Sequence, residues 1–89
     1  MEVRKRVTYT GRVQGVGFRY TAVEIASHYA VTGYVRNLPS GAVDLAAEGE
    51  ADQVAGFLQA LGQRMGQYIL NTEAHDEPLQ GGTDFRIRY

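Results

Sequence analysis

The chain has no cysteine. That excludes a disulfide framework, a cysteine nucleophile and a thiolate metal site. It also lacks any long apolar run, so no segment reads as a transmembrane helix, and Met1-Glu2-Val3-Arg4-Lys5-Arg6 is basic without the apolar stretch of a secretory signal. A cytoplasmic location with no membrane partner is the expectation. Neither sign of charge is in excess: 9 Lys and Arg stand against 10 Asp and Glu, a net charge of -1. Charge alone therefore gives no reason to expect a nucleic-acid partner. Arg4, Lys5, Arg6 and Arg12 do gather positive charge on one strand, which reads as a solvated face that also steers anionic substrates. The two histidines, His28 and His75, lack ligand spacing, and no metal or cofactor is expected. Glu48, Glu50, Asp52, Glu73, Asp76 and Glu77 fall at strand ends, helix starts or loops where solvation accounts for them. With 89 residues, 44% of them hydrophobic, and no linker, repeat or low-complexity tract, the chain reads as one domain over residues 1–89, expected to be a monomer.

What is present is concentrated in Gly11-Arg12-Val13-Gln14-Gly15-Val16-Gly17-Phe18-Arg19, a glycine-containing loop between a strand (Val7 to Val13) and a helix. The glycines let a ligand approach the backbone closely, and the helix start offers unpaired N–H groups at the positive end of its dipole. Arg19, on the first helical turn, leans back over the loop and adds a planar cation. An oxyanion such as phosphate fits that arrangement. No Lys-Ser or Lys-Thr follows the glycines, so this is not a nucleotide triphosphate loop, and Tyr20 stands where a dinucleotide fingerprint requires a third glycine. Local physics leaves a second reading open, in which the glycines only make a tight turn and Arg19 is a solvated surface residue.

Periodicity leads to the fold. Val3, Val7, Tyr9 and Val13 share one strand face and Arg4, Arg6, Thr8, Thr10 and Arg12 the other. Phe18, Ala22, Ile25, Ala26 and Tyr29 recur at helical spacing, leaving Glu24, Ser27 and His28 outside. A strand containing Val35, a turn at Leu38-Pro39-Ser40-Gly41 and a strand with Val43, Leu45 and Ala47 on one face make a hairpin. A second helix carries Val54, Phe57, Leu58, Leu61 and Met65 on one stripe and ends near Gly62 to Gly66. A fourth strand alternates Tyr68, Leu70 and Thr72 with Ile69, Asn71 and Glu73. A turn-rich loop from Glu77 to Asp84 then leads to a short last strand with Phe85, Ile87 and Tyr89. The order is βαββαβ plus a short C-terminal strand: an α+β, ferredoxin-like split βαβ sandwich with two helices on one face of an antiparallel sheet. A βαβ crossover makes the first two strands run the same way, which brings Arg19 and Asn37 to one end of the sheet.

Two segments, Val13-Gln14-Gly15-Val16-Gly17-Phe18-Arg19 and Gly33-Tyr34-Val35-Arg36-Asn37-Leu38-Pro39-Ser40-Gly41-Ala42-Val43 with Gly49 beyond it, resemble the two signatures of the acylphosphatase family in content, order and separation. The resemblance is strong from Gly11 to Gly49, weak from Gln63 to Gly82, and returns at Phe85-Arg86-Ile87-Arg88-Tyr89. It departs at Tyr9, Ala22 and Ser40, and in the link Gly62 to Gln67, which leaves the register of the fourth strand open. It implies an acylphosphatase, a metal-independent hydrolase that splits an acyl phosphate into carboxylate and inorganic phosphate. Gln14, Gly15, Val16, Gly17, Phe18 and Arg19 would bind phosphate, and Asn37 would orient the attacking water. From the residues alone Asn37 reads first as a turn asparagine bonding its own backbone before Leu38-Pro39, and the family spacing reverses that preference. Tyr20 and Tyr34 flank the expected site as candidates to touch an acyl group. The alternatives are a phosphate-sensing module that uses the same loop without turnover and an RNA-binding module. Ala42, Asp44, Ala46 and Glu48 on the third strand offer no stacking aromatic for RNA.

Overall fold

Alternating residues at the start of the chain make a strand with two unlike faces, and most of the fold follows from what covers each. The computed structural model describes Met1–Tyr89. Its elements are β1 (Glu2–Gly11), α1 (Phe18–Ala26), β2 (Val31–Asn37), β3 (Val43–Glu50), α2 (Ala51–Met65), a 3-10 turn (Gly66–Tyr68), β4 (Ile69–Asp76) and β5 (Phe85–Arg88). They form one five-stranded sheet in the order β4-β1-β3-β2-β5. β1 and β2 are both antiparallel to β3 between them and so run the same way. β5 pairs in parallel with β2, which makes the sheet mixed where an antiparallel one was expected.

The helices cover one face. Val7, Tyr9, Val35, Val43, Leu45 and Ala47 from the sheet meet Phe18, Ala22, Ile25, Val54, Phe57, Leu61 and Met65 from the helices. Phe57 sits at the centre, with ring centroids 6.4 Å from Tyr29 and 5.1 Å from Phe85, so truncating it to alanine should cost about 3–5 kcal/mol. α2 continues through Gly62 to Met65 because Leu61 and Met65 are both buried, which outweighs the roughly 1 kcal/mol that a mid-helix glycine costs. Tyr68 belongs to the 3-10 turn, and β4 is exposed from Leu70 onward because neither helix reaches that edge. β4 is held by its ladder with β1, Lys5↔Asp76 to Gly11↔Ile69, which fixes the register left open by the sequence, with an irregularity at Thr10/Gly11.

The other face corrects the expectation of a solvated basic stripe. Arg4, Asp44 and Glu48 are only 5%, 2% and 5% exposed there. Arg4 pairs with Glu48 (Nη1 to Oε1, 3.1 Å) and Glu77 (Nε to Oε1, 2.6 Å), while Arg6 and Arg36 both bond Asp44. Hydrogen bonds from the Gln80 and Gly81 backbone N–H groups, with Arg4, hold the Glu48 carboxyl below its ordinary range against the effect of burial. Burial would raise Asp44, but the hydrogen bonds from Arg6 and Arg36 outweigh it and hold this carboxyl low as well. Alternation alone cannot distinguish this face from a solvated one, because both show polar residues at every second position.

The segment Glu77–Asp84 links the two edge strands by crossing this face. The Glu77 N–H donates to Arg4 O on β1, the Gln80 and Gly81 N–H groups to Glu48 on β3, and the Gly33 N–H on β2 donates to Asp84 O. Asp76, Lys5, Ala47, Gly33 and Phe85 are successive partners on one row, so the segment leaves and rejoins the sheet on the same rung.

Candidate active site

Because β1 and β2 run the same way, the loop after β1 and the residue that ends β2 reach the same end of the sheet. β1 stops at Gly11, short of the expected Val13, and Arg12 N–H donates to Tyr68 O. Val13, fully buried, then anchors the loop in the core. Gly15 (φ 77°) and Gly17 (φ 81°) both take the left-handed conformation, where a side chain is strained even though a Cβ would meet nothing within 4 Å. Gly17 is the N-cap of α1 and brings no capping side chain. As a result the backbone N–H groups from Gly15 to Tyr20 make no hydrogen bond within the protein, and the first internal bond of the helix start is Thr21 N–H to Gly17 O. Phe18 is buried against Tyr9, ring centroids 5.0 Å apart, which fixes the helix start on the sheet.

Five residues of this run, Gly15, Gly17, Phe18, Arg19 and Tyr20, line a cavity of about 190 Å³ together with Val13 and Asn37. Arg19 has no carboxylate within ion-pair distance; its guanidinium carbon lies 5.2 Å from the centre of the Tyr89 ring. The Asn37 side chain makes no internal hydrogen bond. The turn that follows is closed without it, by Leu38 N–H to Ala42 O and Gly41 N–H to Leu38 O. Asn37 is thus not the turn-closing residue that local sequence allows.

Of the six residues expected to bind phosphate, Gly15, Gly17, Phe18 and Arg19 line the cavity, while Gln14 and Val16 do not. The Gln14 side chain instead donates through Nε2 to Leu38 O (2.8 Å) and Ala42 O (2.9 Å), tying the loop to the β2–β3 turn. Tyr20 lines the cavity and is 69% exposed. Tyr34 does not; its side chain is on the opposite face, buried, with its hydroxyl on Asp44 (3.3 Å). Strand alternation could have shown this, since Tyr34 and the core residue Val35 are neighbours and must point to opposite sides. Val13 and Tyr89 were not foreseen, the latter because its place beside Arg19 depends on the position of β5 beyond β2. His28 and His75 are exposed and away from the cavity.

A family model described as Acylphosphatase matches residues 5–87. The chain belongs to the acylphosphatase family. A relative named Acylphosphatase from Methanospirillum hungatei is 40% identical over 88 residues, covering 94% of this chain and 97% of its own length. The solved acylphosphatase of Coxiella burnetii has a TM-score of 0.87 and 34% identity, over 98% of this chain and 93% of that one. The Bacillus subtilis acylphosphatase has a TM-score of 0.88 and 29% identity over the full length of both chains. The chain is thus an acylphosphatase-family enzyme with the family's ferredoxin-like fold, and both glycine-containing segments lie within the matched range.

Proposed function

We propose that the cavity at the α1 start hydrolyses acyl phosphates, with the loop and Arg19 as the phosphate cradle and Asn37 holding the attacking water. The observation that carries this reading is the run of six unpartnered N–H groups, Gly15 to Tyr20, all but Val16 on residues that line one cavity with an unpaired guanidinium and an unbonded side-chain amide. An acyl phosphate is a mixed anhydride with a good leaving group, so positioning and charge stabilisation suffice without a strong base. The N–H groups and Arg19 neutralise the phosphoryl oxygens as charge redistributes, and Asn37 orients water in line with the departing carboxylate. The water oxygen bonds to phosphorus as the bond from phosphorus to the acyl oxygen breaks. Asparagine is not a base near neutral pH, so the proton passes to a phosphoryl oxygen or to the leaving carboxylate.

The deciding experiment is release of inorganic phosphate from acetyl phosphate and benzoyl phosphate by the purified chain, with and without chelator. Turnover insensitive to chelator and competitively inhibited by inorganic phosphate is expected. Saturable phosphate binding with no release above the spontaneous rate would replace the enzyme by a phosphate sensor using the same loop.

A further inference from the structure

The ion pairs on the face away from the helices are complete without Arg88. Asp44 is satisfied by Arg6, Arg36 and the Tyr34 hydroxyl, and Glu48 by Arg4 and the Gln80 and Gly81 N–H groups. Arg88 has no carboxylate partner. Its guanidinium lies over the Tyr34 ring, 4.3 Å from the centroid, so one face of the cation is covered while its N–H edge stays free. That edge borders a trough of about 390 Å³ between the sheet and the crossing segment, walled by Arg4, Tyr34, Arg86 and Arg88 on one side and Gly82 and Thr83 on the other. Three arginines line it against one carboxylate, Asp84, which Arg86 already engages (Nη2 to Oδ2, 3.0 Å). Arg4 spends Nε and Nη1 on its glutamates and leaves Nη2 without a protein acceptor, and the Gly82 and Thr83 N–H groups have none either.

We infer that this trough is a second anion site, separate from the catalytic cavity, that takes a small molecule carrying two or more linked phosphate groups. Guanidinium edges and backbone N–H groups are the donors that recognise phosphate oxygens. The unpaired charge of Arg88, the free Nη2 of Arg4 and a volume about twice that of the catalytic cavity favour a chain of phosphates over a single one. Single-stranded RNA is a poor fit, because the central strands β1 and β3 present Arg4, Arg6, Asp44 and Glu48 here and the Tyr34 ring is already covered.

Inorganic triphosphate is the probe. Titration into the Arg19→Ala protein removes the competing catalytic cavity, and amide NMR shifts locate the site. One saturable site is expected, with shifts at Gly82, Thr83 and Arg88 and weaker binding of orthophosphate. Adding Arg88→Ala should weaken binding at least about tenfold, the loss of one charged donor pair, and Arg88→Lys should restore only part of it. Alone, Arg88→Ala should leave acyl phosphate turnover unchanged, which separates this site from the reading of the catalytic one. Shifts confined to Gly15–Tyr20 in the parent and absent from Arg19→Ala, no saturation, an unchanged affinity in Arg88→Ala, or tighter binding of a short RNA at the same residues would each overturn the inference.

Discussion

Gln14 and Leu38 are joined across the two halves of the candidate active-site cavity: the Gln14 amide, from the loop, donates to the Leu38 carbonyl, the first residue after Asn37, at 2.8 Å. The same nitrogen reaches Ala42 O at 2.9 Å. The loop from Gly15 to Arg19 and Asn37, to which the proposed mechanism gives the phosphate and the water, are therefore set relative to one another by a side chain that itself lines no part of the cavity.

Gln14→Ala should lower kcat by roughly tenfold to a hundredfold through misplacement of Asn37, with the inhibition constant of phosphate nearly unchanged. Stability should fall by only about 1 kcal/mol, because both carbonyls keep a backbone partner, Leu38 O from Gly41 N–H and Ala42 O from Leu38 N–H. Gln14→Glu should be worse than alanine, since a carboxylate would face two carbonyl oxygens. Steady-state kinetics with phosphate as inhibitor, beside urea melts, test this; a large loss of phosphate affinity in Gln14→Ala would return Gln14 to the phosphate cradle.

Arg19→Ala should reduce kcat by about 10²–10³ and weaken phosphate inhibition while the fold survives, as Arg19 makes no internal ion pair. Arg19→Lys should also be poor, because a point charge does not reproduce the planar fork. Turnover near that of the parent in either variant would remove Arg19 from the cradle.

Asn37→Ala should cut kcat sharply yet leave phosphate inhibition within a few-fold of the parent, since an interaction realised mainly in the transition state acts on turnover more than on ground-state binding. Equal losses of phosphate affinity in the Asn37 and Arg19 variants would make Asn37 a second clamp. Restored or raised activity in Asn37→Asp would show that a base is used after all.

The cavity was largely legible in sequence, because its glycines, Arg19 and Asn37 lie in two short segments whose meeting follows from one βαβ crossover. Gln14 was legible as important but not in its role, since its partners are backbone atoms of a turn more than twenty residues away and backbone carbonyls carry no residue code. The core stripe of α2 was equally readable, and the helix ends at Met65, within the range from Gly62 to Gly66 expected from its glycines. The polar face was misread for the opposite reason. Arg4, Asp44, Glu48 and Glu77 come from three separated stretches of chain, and nothing local in any of them says that a connecting segment will cover them.

Acid should loosen this face first. Glu48 and Asp44 have folded-state values held below their ordinary ones, so the stability they contribute is fully present above roughly pH 5 and is lost as pH falls through the depressed folded values. Glu48→Gln should be less stable near neutral pH and should lose less on acidification, because its amide cannot titrate. Urea midpoints across pH for the parent and the variant supply the comparison; parallel curves would show that Glu48 contributes no pH dependence.

The row on which Asp76 and Phe85 both sit sets a length requirement for the segment between them. Four strand spacings separate the two edges, about 19 Å, whereas the nine links from Asp76 to Phe85 reach at most roughly 30 Å when fully extended. The slack of about 10 Å is what lets the segment arch over Arg4 and Glu48 and leave a trough beneath it. Removing three residues would leave about 20 Å, a span pulled flat along the rung with no height to clear the side chains. β5 would then have to give up its place beside β2, and with it the contact that Tyr89 makes with Arg19 at the far end of the molecule.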